Sequence, residues 1–155
     1  MKQNSTVKEQ SLNPQPNVRP AAEPAAGEGL DERMLTALHA AGEKKALEPV
    51  VLDLREIASF TDYFVIVSGA NERQVQAISD EVYDSLKKMG HTTPRVEGYK
   101  TAEWILLDYG DFVVHVFEQK ARKFYDLERL WRESKRVELP AEFNAGSCSS
   151  LRRES

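Results

Sequence analysis

Glu103-Trp-Ile-Leu-Leu-Asp-Tyr-Gly-Asp-Phe-Val-Val-His-Val-Phe-Glu118 reads as two apolar strands folded about Asp108-Tyr109-Gly110-Asp111. Arg122-Lys-Phe-Tyr-Asp-Leu-Glu-Arg-Leu-Trp131 follows as a short amphipathic helix, predicted to run from about Arg122 to Lys135. So tight a turn forces its two strands to pair antiparallel, which excludes an all-parallel sheet. Alternation along the first strand puts Trp104 on one face with Leu106 and Asp108, and Ile105 and Leu107 on the other. Polar groups able to do chemistry are almost absent here, whereas aromatic residues are concentrated. That pattern fits a surface that grips a partner.

Working outward, Tyr63-Phe-Val-Ile-Val-Ser68 is continuously apolar, as a central strand covered on both faces requires. Ser68-Gly69-Ala70-Asn71 turns it into a helix whose stripe is Val75, Ile78, Val82, Leu86 and Met89. Asn71 and Gln74 are spaced as a capping box, and Gly90 ends the element. Upstream, Asp31 caps a first helix with Leu30 and Leu35 spaced as a hydrophobic staple and Met34, Leu35, Leu38 and Ala41 as its stripe. Pro49 separates that helix from a strand at Val50–Leu54, and Arg95-Val-Glu97 reads as a further short strand. The order helix, strand, strand, helix, strand, strand, strand, helix predicts an α/β domain with a mixed sheet flanked by helices.

The 155 residues leave room for one domain. Residues 1–29 carry Pro14, Pro16, Pro20 and Pro24 with almost no large apolar side chain, too little to offset the entropy of ordering. They are expected to be a disordered tail, as is 140–155, which leaves 30–139 as the folded domain. The single cysteine, Cys148, excludes an internal disulfide and a cysteine-based zinc cluster. No apolar run approaches the roughly 18 residues of a membrane span. The N-terminus lacks a secretory layout, and its acids argue against an organelle transit peptide. Elimination points to a cytoplasmic protein.

A net charge of −4 weakens the case for nucleic-acid binding, with one local exception. Lys120, Arg122, Lys123, Arg129, Arg132, Lys135 and Arg136 outnumber Asp126, Glu128 and Glu133. A solvated helix face with ion pairs such as Glu128 to Arg132 is the leading reading. Contact with ribosomal RNA or another polyanion is the alternative.

Ser68-Gly69, following a strand and opening a helix, is where a phosphate could bind. Nucleotidyltransferases place a Gly-Ser pair there, but they also need two acids one residue apart on a following strand. No such pair follows Gly69, so a structural turn is favoured. His39, His91 and His115 form no metal pattern, and no nucleophile stands beside them. His115, on the face of Val113 and Phe117, is expected to be a hydrogen-bonded core or rim histidine. No catalytic residue, cofactor or metal is expected.

At Val51-Leu-Asp-Leu-Arg-Glu-Ile57, Thr61-Asp-Tyr-Phe-Val-Ile-Val-Ser-Gly69, Arg73-Gln-Val-Gln-Ala-Ile78, Arg95-Val-Glu-Gly98, Glu103–Asp111, Val113–Phe117 and Phe124–Trp131 the chain resembles the ribosomal silencing factor family, also called Iojap. The segments run in family order across the folded domain. The resemblance implies a nucleotidyltransferase-like fold without the catalytic acids. It implies binding to the large ribosomal subunit through ribosomal protein L-fourteen, which blocks small-subunit joining and represses translation under nutrient limitation. A nucleotidyltransferase-like enzyme and a large-subunit assembly factor are the alternatives. The expected partner-binding residues are Trp104, as an aromatic anchor, with Glu97, Glu103, Asp108, Tyr109 and Asp111 around it. A homodimer stays open.

Overall fold

The computed structural model describes residues 30–91 and 93–143; the tail assigned to 1–29, and all but the first four residues of the one assigned to 140–155, lie outside them. The elements are α1 (Glu32–Glu43), β1 (Leu47–Asp53), β2 (Tyr63–Gly69), α2 (Glu72–Lys88), β3 (Arg95–Glu97), β4 (Trp104–Asp108), β5 (Phe112–Glu118), α3 (Gln119–Tyr125), α4 (Leu127–Leu130) and β6 (Lys135–Arg136). They build one mixed sheet in the order β3-β4-β5-β2-β1-β6. β2 and β5 run parallel at its centre, and every other pairing is antiparallel. Among the described residues, no helix is long and apolar enough to cross a membrane.

Local chemistry starts both long helices where the sequence places the starts. The Asp31 carboxylate accepts from the Met34 N–H at 3.0 Å, and Asn71 Oδ1 accepts from the Gln74 N–H at 2.8 Å. Gln74 does more than close a capping box. Its carbonyl takes the Ala70 N–H at 2.6 Å, and its amide donates to the Lys44 and Lys45 carbonyls at 3.0 Å. One side chain thus joins the start of α2 to the turn after α1.

The sheet is covered unequally. Tyr63, Val65 and Val67 of β2, Phe112, Val114 and Val116 of β5, and Ile105 and Leu107 of β4 face α1 and α2 in the larger core. The opposite face carries Phe64, Ile66, Val113 and Phe117, and only α3, α4 and the turn after β1 lie over it. Period-two alternation makes both sets from the same strands. Both sheet edges are short: β3 has three residues and β6 two.

Four expectations need correction. The helix drawn from Arg122 to Lys135 is broken: Asp126 adopts φ 51°, ψ 55°, separating α3 from α4. Asp tolerates this left-handed conformation better than most residues. The chain then returns at Lys135–Arg136 to pair with Leu52–Asp53. β1 begins at Leu47, because a bulge between Leu47 and Val50 absorbs Pro49 without a ladder bond. The packed domain also extends past Leu139: Phe143 is buried in the larger core, with its ring 4.8 Å from His39 and Glu142 paired to His39 Nε2 at 3.0 Å.

Candidate functional site

The thinly covered face brings together aromatic rings that are far apart in sequence. Register aligns Trp104 with Phe117, and Leu106 with His115, while Ile66 flanks His115 from β2. Trp104 stacks on Phe117 with centroids 4.9 Å apart and meets Tyr125 of α3 at 4.9 Å. Phe64 meets His115 at 4.3 Å, Trp131 at 5.8 Å and Phe60 at 6.2 Å. Phe124 continues the series against Tyr125 at 5.0 Å. Its outer members are open to solvent: Phe124 is 80% exposed and Phe60 61%. Apolar groups exposed together in this way mark interaction surfaces.

At the middle of this face the Trp104 indole N–H donates to His115 Nδ1 at 3.0 Å. His115 is 3% exposed, and burial pushes its pKa down to about 3, so the imidazole is neutral. This is the hydrogen-bonded histidine that alternation calls for.

The C-terminal unit is anchored by a buried cation. Arg122 Nε and Nη2 pair with the two oxygens of Glu128 at 3.1 and 3.2 Å. Its Nη1 donates to the Glu48 carbonyl at 2.7 Å and to Ser68 Oγ at 2.8 Å. Glu128 also meets Arg136 at 3.5 Å, so it does not form the i,i+4 pair with Arg132 expected from the sequence. α4 ends at Leu130, so no helix carries Glu128 and Arg132 on one face. Among the described residues, Lys120, Lys123, Arg129 and Arg132 consequently form no ion pair, and all four are exposed.

The six residues expected at the partner surface do not form one ring. Trp104 is half-buried, with exposed Glu103 beside it; exposed Glu97 pairs in register with Leu106 and holds Arg95 at 3.0 Å. Gly98 binds this group together. Its φ is +82°, and a Cβ there would lie 2.1 Å from the Trp104 carbonyl oxygen. Asp108 and Asp111 sit at the far end of β4, about 13 Å away at ~3.3 Å per residue. Asp108 accepts from the Gly110 N–H at 2.8 Å, and Asp111 accepts from Arg33 at 2.9 Å. Tyr109 points to the other side of the sheet, stacked on Phe112 at 5.1 Å, with burial raising its pKa to about 12. Sequence reasoning missed Phe60, Phe64, Tyr125 and Phe124 as members of the face. The even-numbered positions of β2 were a usable signal for Phe64; the others depend on how loops and α3 dock.

The Ser68-Gly69 turn is packed. A Cβ on Gly69 would lie 3.0 Å from Val75 Cγ2 and 3.1 Å from the Val75 nitrogen, and Ser68 is fully buried. The depression beside it is lined by Ala70, Asn71, Glu72, Arg73 and Glu118, two of them acids.

A mixed sheet with helices on one side and an aromatic face half covered on the other defines an α/β domain. The model of the family "Ribosomal silencing factor during starvation" matches residues 28–154, and the chain belongs to that family. It is 42% identical to the ribosomal silencing factor of Halalkalibacterium halodurans over 70% of this chain and 92% of that protein. A crystal structure from Bacillus halodurans superposes with a TM-score of 0.63 at 42% identity, covering 70% of this chain and 98% of the other. A more distant relative is the mouse protein called mitochondrial assembly of ribosomal large subunit protein 1, 31% identical over 57% of this chain and 40% of its own length.

Proposed function

We propose that this ribosomal silencing factor binds the large ribosomal subunit through protein L-fourteen and sterically blocks the small subunit from joining. The observation that carries the reading is the half-covered sheet face, whose aromatic series runs from Phe60 through Trp104 to Phe124. Large aromatic groups of this kind are the usual energetic anchors of protein interfaces. Glu97 and Glu103 beside Trp104 are exposed and acidic, which suits a basic ribosomal protein. The unpaired Lys120, Lys123, Arg129 and Arg132 on the C-terminal unit suit a second, peripheral contact with ribosomal RNA. Such a block represses translation, and the family description supports placing it under nutrient limitation, in the cytoplasm on our reading.

Co-sedimentation tests the reading directly. The full chain should travel with isolated large subunits and not with small ones, and saturating protein should prevent their joining. Equal binding to both, or undiminished joining, rejects it. The name of the mouse relative favours one other reading, assembly of the large subunit. Under that reading, depletion leaves immature large subunits during rapid growth; under the first, large-subunit maturation is unchanged.

A further inference from the structure

We propose that His115 is the positioning residue of the partner surface: by accepting the Trp104 N–H inside the protein, it fixes the indole so that only carbon is offered to the partner. The inference rests on the partner-surface reading above. Indole has a single polar atom, Nε1, and its proton is committed to His115 Nδ1 at 3.0 Å. What remains of half-buried Trp104 at the surface is therefore apolar ring. A partner reaches it with aliphatic side chains or by laying a guanidinium against the ring, and supplies no hydrogen-bond acceptor.

The geometry around His115 is built for this single task. Because Nδ1 accepts, the neutral ring carries its proton on Nε2. That atom has no hydrogen-bond partner among the described residues, and the ring packs against Phe64 at 4.3 Å and 71°. A buried donor left without a partner is a cost that core packing alone does not explain. An apolar residue between Val113 and Phe117 would fill the position without that cost, but it would release the indole N–H. Phe117, stacked on the indole at 26°, and Tyr125 hold the ring from other directions but offer its N–H nothing. His115 alone sets its polarity.

A double-mutant cycle on the full chain, read as affinity for isolated large ribosomal subunits, is the test. His115→Phe should weaken binding about five- to tenfold in the native background, the worth of a net hydrogen bond of about 1 kcal/mol. In a Trp104→Phe background, which has no indole N–H to accept, His115→Phe should change affinity less than about twofold. His115→Asn, whose amide oxygen takes the place of Nδ1, should recover much of the loss. Equal losses in both backgrounds overturn the proposal, because His115 then acts independently of Trp104. NMR of the wild-type chain gives a readout that needs no variant to fold. The Trp104 indole proton should exchange slowly and show a coupling across the hydrogen bond to His115 Nδ1. An indole proton exchanging at the free rate overturns the proposal. Wild-type protein that fails to bind large subunits would instead reject the partner-surface reading itself.

Discussion

Arg122 Nη1 lies 2.8 Å from Ser68 Oγ, so a cation from α3 closes over the buried end of β2. With Glu128 bidentate on the same guanidinium, this contact docks α3 and α4 on the open face. Arg122→Ala removes every one of these bonds and strands the Ser68 hydroxyl. It should destabilise the domain by about 3 kcal/mol, as breaking a buried pair does. Glu128→Gln should cost less, since Glu128 is the more exposed partner. Urea unfolding monitored by circular dichroism decides, and a loss below about 1 kcal/mol for Arg122→Ala would mean the unit docks without it.

Gly98 and Gly42 should respond oppositely to alanine. Gly98→Ala places a Cβ 2.1 Å from the Trp104 carbonyl at a φ of +82°, and something must move. A stability loss of ~2 kcal/mol or more is expected, with weaker large-subunit binding because β4 shifts beneath Trp104. Gly42 lies in α1 with nothing within 4 Å of an added Cβ, so Gly42→Ala should stabilise by roughly 0.5–1 kcal/mol. Thermal melts of the two variants check both signs.

His115 also makes stability depend on pH. Its pKa falls from 6.5 in the unfolded chain to about 3 in the fold, so the unfolded chain binds the extra proton between these values. The contribution is complete above about pH 6.5 and is lost as pH falls through that window, at about 1.4 kcal/mol per pH unit. The difference in unfolding free energy between wild type and His115→Phe should therefore change by about 2 kcal/mol from pH 6.5 to pH 5. A difference independent of pH would show that His115 is solvated in the folded protein.

The unpaired cations of the C-terminal unit should be visible in salt dependence. Reversing Lys120 and Lys123 to Glu is expected to weaken large-subunit binding and to flatten the plot of log affinity against log salt by about one per cation lost. Melting temperature should stay within a degree or two, because neither residue is paired or buried. An unchanged slope would place RNA contact elsewhere on the molecule.

Much of this architecture is legible in the chain because short-range chemistry specifies it. Asp31 and Asn71 cap the helices they were expected to cap, β2 is central, and the hairpin about Asp108–Asp111 forms. The C-terminal unit was less legible. An Asp at 126 permits a left-handed break without announcing one, and the contact that docks the unit, Arg122 on Ser68, spans 54 residues that no local pattern relates. The same guanidinium holds Glu128, which the sequence had paired with Arg132. The acidic rim was grouped by nearness in sequence, yet alternation along β4 sends Tyr109 to the helix side, and strand length carries Asp108 and Asp111 away from Trp104.

The short edge strands have a consequence for a protein that must keep so many rings uncovered. Sheets polymerise most readily through long, flat, unpaired edges. Here one edge is Arg95-Val96-Glu97 and the other Lys135-Arg136, too brief and too charged to template another chain. Stickiness is thereby confined to a direction perpendicular to the sheet, where association ends after one partner. At high concentration such a molecule should form discrete complexes that salt and dilution reverse, and should not grow into fibrils.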